Sequence, residues 1–242
     1  MSKKPTIGSS IICMDHVNFE RDLRLAEQIG IDYLHLDVMD GHYVPRYGIY
    51  PEIVSRLSNL TDLKMDLHLM VSDVEFALNQ FKQIKNIEYV TFHYQGNENN
   101  VMYLVDKIRE SGKKPGLVFN LSSNPSDILE ILSHEYIDCI MFMGIHPGVL
   151  KQTSRPENVI RKLEFLRANL STALTPEFIQ VDGGVSFDSI PKLLKAGANN
   201  FVCGSSTLYK GVDLSVDWEQ NADLIVANFN KLSTILESFN DV

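Results

Sequence analysis

The 242-residue chain has little of what marks several large protein classes. No stretch approaches the ~20 apolar residues of a membrane span, so no membrane partner is expected. Basic residues are in deficit: 22 Lys+Arg stand against 31 Asp+Glu, a net charge of −9. That balance argues against broad nucleic-acid binding, which needs a basic face, and against a polybasic membrane-surface role. Cysteines are few. Cys13, Cys139 and Cys203 are widely spaced, form no CxxC pair, and each sits in or ends an apolar run. Buried, reduced thiols in a cytoplasmic protein are the expectation. No secretory leader is expected either, because the apolar run near the start is only Ile11-Ile12-Cys13-Met14 before Asp15. Low-complexity and linker-like stretches are absent. With 44% hydrophobic and 22% charged residues, the composition is that of a folded globular chain.

What is present is one repeating pattern. Short apolar runs read as strands over Thr6–Ile12, Tyr33–Asp37, Leu63–Leu69, Tyr89–His93, Lys114–Phe119, Cys139–Met143, Glu177–Val181 and Asn200–Cys203. Between them, helical spacing runs over Asn18–Ile29, Asn99–Ser111, Pro156–Leu170, Phe187–Lys195 and Asp217–Phe239. Eight strands alternating with helices at this length predict a single-domain (β/α)8 TIM barrel over residues 1–242. The alternative, an open doubly wound sheet, usually carries a Gly-rich turn after its first strand, and GSSIICMD matches that poorly.

In such a barrel the working residues sit at the C-terminal strand ends. Strand two ends His35-Leu36-Asp37, and a period of two puts His35 and Asp37 on one face. Strand three reads Asp66-Leu67-His68-Leu69, so Asp66 and His68 share a face. Strand seven ends Val181-Asp182-Gly183-Gly184. Two imidazoles and at least two carboxylates therefore converge on one rim. This mixed N/O set suits one divalent transition metal (Zn, Fe(II), Mn or Co) better than Mg or Ca. Asp37 and Asp182, from strands two and seven, are expected to approach a substrate from opposite sides as an acid/base pair. The cation would act as Lewis acid on an enediolate formed between them.

A second cluster is glycine-rich. Gly183 and Gly184 follow strand seven; Gly204, Ser205 and Ser206 follow strand eight. Loops at these positions hold phosphate in many barrels. A cation and a phosphate site on one rim imply a small sugar phosphate as the partner molecule. Met39, Met70 and Met143, near the same rim, would form a water-excluding cover. His93, ending strand four, is expected to line the pocket or serve structure rather than bind metal.

The segment His35-Leu-Asp-Val-Met-Asp-Gly-His-Tyr-Val-Pro45 resembles the strand-two signature of ribulose-phosphate 3-epimerases. Asp66-Leu-His-Leu-Met-Val71, Thr91-Phe-His93, Val181-Asp-Gly-Gly-Val185, Gly204-Ser-Ser206 and the Gly8-Ser-Ser-Ile-Ile start are similar to that family in the same order. The likeness covers roughly residues 6 to 210. It implies a metal-dependent change of stereochemistry at C3 of a ketose phosphate, most simply ribulose 5-phosphate to xylulose 5-phosphate. It implies His35, Asp37, His68 and Asp182 as metal ligands, Asp37 and Asp182 as acid and base, and Ser10 at the substrate near the metal. Gly148 belongs to the family's mobile lid, which also helps bind phosphate. A homo-oligomer is the expected assembly.

Two departures bear on substrate identity. The lid segment reads His146-Pro-Gly-Val-Leu-Lys-Gln152, with Val149, Leu150 and Lys151 where the family has an aromatic and small residues, which should stiffen the lid or change its closure. Arg46 replaces the usual Asn. The competing readings are the same chemistry on allulose 6-phosphate, a non-catalytic sugar-phosphate binder, and a metal-free phosphate-binding barrel. The Cys13-Met14-Asp15 turn looks like the allulose group, but that group's DG-Ser in place of DG-Gly is absent.

Overall fold

The computed structural model describes residues 4–134, 136–149 and 152–239. Eight parallel strands close into a barrel in sequential order: β1 (Thr6–Ser10), β2 (Tyr33–Met39), β3 (Lys64–Met70), β4 (Ile87–His93), β5 (Lys114–Phe119), β6 (Cys139–Met143), β7 (Phe178–Asp182) and β8 (Asn200–Cys203). The cylinder closes where β1 meets β8, with Thr6 opposite Asn200 and Ser9 opposite Cys203. The helices are α1 (Phe19–Ile29), α2 (Pro51–Leu60), α3 (Val74–Phe81), α4 (Val101–Glu110), α5 (Pro125–His134), α6 (Pro156–Asn169), α7 (Ile190–Ala196) and α8 (Trp218–Glu237).

All eight expected strands form, β5, β6 and β8 with the bounds read from the sequence and the other five with ends shifted by one or two residues. β1 stops at Ser10 because Ile11–Cys13 turn into a 3-10 helix. β2 runs two residues further, to Met39, held by its pairing with Met70 of β3. α7 begins at Ile190 rather than 187, since Ser186 and Ser189 first close a hydrogen-bonded turn. α2, α3 and α5 were not among the helices read from spacing. α1 ends at Gly30, whose φ of 86° lets its N–H reach the carbonyls of Ala26 and Glu27. The side chain of Asp73 caps α3 by accepting from the Phe76 N–H at 2.9 Å.

Strand alternation divides the core into two parts. Leu34, Leu36 and Val38 of β2, Met65, Leu67 and Leu69 of β3, and Val181 of β7 join the large apolar layer between barrel and helices. The alternate residues, Tyr33, His35, Asp37 and Met39 on β2, Asp66, His68 and Met70 on β3, and Gln180 and Asp182 on β7, face the barrel interior. The interior is thus polar along three strands while its surround is apolar. The outer layer supplies the burial that offsets the cost of enclosing those polar groups.

Candidate active site and metal centre

Four side chains meet at the C-terminal mouth. One ligand atom each from His35, Asp37, His68 and Asp182 lies within 4.8 Å of the others. Asp37 Oδ1 is 3.2 Å from both His35 Nε2 and His68 Nδ1; Asp182 Oδ2 is 3.9 Å and 3.8 Å from the same nitrogens. The register produces this closeness, for His35 pairs with Asp66 and Asp37 with His68 across β2 and β3. Asp182 enters from β7, beside Met143 of β6.

The set fits a divalent cation. His35 Nε2 is buried without a hydrogen-bond partner, although Asp37 Oδ1 is close by. Its other nitrogen, Nδ1, is 2.9 Å from Asp66 Oδ2. His68 turns Nδ1 toward the aspartates and Nε2 toward His93 Nε2, at 2.9 Å. Each histidine is thus braced on one nitrogen and presents the other to the same point, as metal-binding imidazoles do. His35 and His68 are fully buried, and the donor chemistry is that of Zn, Fe(II), Mn or Co.

The charges interact strongly. Burial alone would push Asp37 up, but the His35 and His68 rings beside it pull its carboxyl well below the usual range. Burial, aided by repulsion from Asp37, raises Asp182 despite the histidines. Burial alone would lower His35; the Asp37 and Asp66 carboxylates outweigh it and raise the imidazole. Burial and the neighbouring His68 push His93 well down, so it stands neutral behind His68. Two carboxylates of opposite proton affinity in one site suit an acid/base pair.

Above the four lies a cavity of about 300 Å³. Asp37 and Asp182 form its floor, and Ser10, Met39, Met70 and Met143 its walls. Met39 and Met70 pack with Val44, and Met143 with Val118 and Met141, so the methionines face the cavity from two separate apolar clusters. On the β7–β8 side the wall is Gly183, Gly184, Gly204, Ser205 and Ser206, with Gly148 and Val149 from the loop after β6. Gly183 and Gly184 both have positive φ, 84° and 69°. A Cβ on Gly183 would strike Ile145 at 2.3 Å, and one on Gly184 would strike Ser154 at 2.0 Å. Only glycine takes this backbone curvature without strain, a conformation in which successive N–H groups can form an anion-binding concavity.

The structure therefore brings together every site residue named from the sequence. Leu150 and Lys151 lie outside the described residues. Three other residues noted in the sequence also meet the site. Asp66 is not on the rim but below it, behind His35. Cys13, expected to be buried, is only partly buried, in the cavity wall, and burial still pushes its thiol up to about 11. Arg46 lines this cavity and a neighbouring one of about 280 Å³. The HxD and DxH patterns marked the position of Asp66; nothing in the local sequence marked Cys13 as part of the wall.

Residues 6–208 match the Ribulose-phosphate 3 epimerase family. The chain belongs to that family. It is 33% identical over 207 residues to a ribulose-phosphate 3-epimerase of Synechocystis sp., covering 85% of this chain and 88% of the relative. It is also 33% identical over 205 residues to the ribulose-phosphate 3-epimerase of Escherichia coli K12, covering 84% and 89%. The enzyme is thus an isomerase of sugar phosphates. Among solved structures, the tryptophan synthase subunit of Pyrococcus furiosus superposes with a TM-score of 0.68 at 12% identity, over 96% of this chain and 99% of that one. The 3-hexulose-6-phosphate synthase of Salmonella typhimurium superposes with a TM-score of 0.66 at 11% identity, over the same shares. These two share the barrel fold. None of the described helices is long and apolar enough to cross a membrane.

Proposed function

We propose that the enzyme interconverts ribulose 5-phosphate and xylulose 5-phosphate by moving the C3 proton between Asp37 and Asp182. The observation that carries this reading is the position of both carboxylates in one cavity floor, on strands three places apart around the barrel, with opposite shifts in proton affinity. One aspartate removes the proton from one face of C3, and the other returns a proton to the opposite face, which inverts the centre. His35, His68 and both aspartates would hold a divalent cation, which when bound supplies positive charge beside the oxygens that become negative as the proton leaves. Ser10 orients the substrate near that point. The glycine-lined wall of Gly183, Gly184 and Gly204, with Ser205 and Ser206, receives the phosphate through backbone N–H groups. Met39, Met70 and Met143 cover the reacting carbons with side chains that offer no proton, so the deprotonated intermediate is shielded from water.

A second reading is the same inversion on a six-carbon ketose phosphate such as allulose 6-phosphate. Arg46 favours it. Together with Ile12 and Asp37, this residue lines both the site cavity and the neighbouring one, so the two spaces adjoin at Arg46. A panel of five- and six-carbon ketose phosphates, followed for C3 epimerisation, separates the readings. The first predicts the higher kcat/KM for ribulose 5-phosphate. A preference for the six-carbon substrate selects the second.

A further inference from the structure

Beneath the four-residue site the barrel interior holds a chain of buried polar groups. Asp66 Oδ2 receives two donors: His35 Nδ1 at 2.9 Å and Gln180 Nε2 at 2.8 Å. Gln180 Nε2 also donates to the Tyr33 hydroxyl oxygen at 3.0 Å. The Tyr33 hydroxyl in turn donates to Asn200 Oδ1. The remaining Gln180 oxygen faces the Cys139 thiol at 3.9 Å. Tyr33, Asp66, Gln180 and Asn200 are all more than nine-tenths buried, and they come from β2, β3, β7 and β8.

The direction of this chain is fixed by chemistry. An ionised carboxylate only accepts, so both partners of Asp66 Oδ2 must present hydrogens. With a cation at Nε2, His35 therefore carries its hydrogen on Nδ1 and turns the Nε2 lone pair toward the site. Gln180 must turn its NH2 group, not its oxygen, toward Asp66. Its second N–H then meets Tyr33, whose single hydroxyl proton is already committed to Asn200. Reversing any member would set donor against donor or acceptor against acceptor in a dry interior. No metal ligand other than His35 is part of the chain.

We infer that Gln180 is a positioning residue for the metal centre: through Asp66 it fixes the tautomer and ring orientation of His35, with Tyr33 and Asn200 holding the amide in place. The inference rests on the reading of His35 as a metal ligand and is independent of which sugar is the substrate. Without the amide, no other described residue opposite His35 fixes the rotation of the Asp66 carboxylate, and the imidazole loses its rigid support. Groups that orient a ligand in this way typically change metal affinity by ~10–100-fold.

The test is the dissociation constant of Zn²⁺, measured by chelator competition without substrate, for wild type, Gln180→Met and Tyr33→Phe. The melting temperature of each metal-free protein is measured alongside. Gln180→Met keeps the volume and removes both donors; Tyr33→Phe keeps the ring and frees the amide to turn. The expected result is Zn²⁺ affinity reduced by ~10–100-fold in Gln180→Met and by a smaller factor in Tyr33→Phe. A second readout is the His35 Nδ1 proton in the Zn²⁺-loaded protein, sharp in wild type and broadened by exchange in Gln180→Met. Affinity within about twofold of wild type in the variants that fold, with only the melting temperature lowered, overturns the positioning role. If Gln180→Met does not fold, Tyr33→Phe decides on the same criteria. A wild-type protein that binds no Zn²⁺ overturns the metal site and this role together, whereas tight wild-type binding with unchanged variants overturns this role alone.

Discussion

Asp37 and His68 sit directly opposite each other across β2 and β3, and Asp37 Oδ1 lies 3.2 Å from His68 Nδ1. This pairing means that the distance between two candidate ligand atoms is set by backbone hydrogen bonding, not by a mobile loop. It also places one of the two aspartates where it can serve both cation and substrate, because its side chain forms part of the cavity floor.

The acid/base assignment predicts that Asp37→Asn or Asp182→Asn lowers epimerisation by at least ~10²–10⁴-fold, while the aspartate left in place still exchanges the C3 hydrogen of the one epimer whose face it meets. Epimerisation at the wild-type rate in either variant removes that residue from the proton path.

The charges of the site predict how stability changes with pH. In the metal-free protein His35 is raised, because the Asp37 and Asp66 carboxylates outweigh its burial. Its contribution is complete below the unfolded value of ~6.5 and is lost as pH rises through the folded one. Asp37 is lowered, because His35 and His68 outweigh its burial. Its contribution is present above ~3.9 and is lost as pH falls through the folded value. Together they stabilise the metal-free protein most between about pH 4 and 6.5. A cation needs the imidazoles neutral, so the rise in melting temperature on adding Zn²⁺ should grow between about pH 5.5 and 8. A Zn²⁺ effect of constant size across that range contradicts the account.

The proposed phosphate wall can be tested apart from the cation. Gly184→Ala places a Cβ 2.0 Å from that of Ser154, on backbone with a φ of 69°. The strain, ~1–2 kcal/mol, should appear as a KM raised roughly tenfold for the phosphorylated sugar. Zn²⁺ affinity should be unchanged. Equal loss of both would mean that the substitution disturbs the whole mouth.

Stability away from the site depends in part on a buried lysine. Lys162 of α6 donates to the carbonyls of Asn120 at 2.6 Å and Leu121 at 2.9 Å, tying the loop after β5 to the helix layer. Burial lowers its ammonium to about 8. Lys162→Met removes the donor from both carbonyls and should cost ~1–3 kcal/mol in urea unfolding. A variant as stable as wild type would show that the tie contributes nothing.

The barrel and its mouth were legible because strand alternation writes the interior directly into sequence. His35 and Asp37, and likewise Asp66 and His68, are two apart and must share a face. α3 was not legible: Val74, Ala77, Leu78 and Phe81 form a helical stripe, but it spans only eight residues and, unlike α7 with Gly197, no glycine marks its end. α2 and α5 each bury few apolar side chains, so their stripes are sparse. The contact between Gln180 and Asp66 was hidden for a different reason. It joins residues 114 apart in the chain, and only closure of the cylinder brings them together. Cys13 looked like core because its neighbours are apolar, yet the 3-10 turn after β1 puts it in the cavity wall.

The central claim is that two histidines and two aspartates share one cation. Anomalous diffraction from crystals grown with Mn²⁺ or Zn²⁺ tests it most directly. The account predicts a single strong peak at the barrel mouth, ~2.0–2.2 Å from His35 Nε2, His68 Nδ1 and an oxygen each of Asp37 and Asp182. A peak bound elsewhere, or none at the mouth under saturating metal, would contradict it.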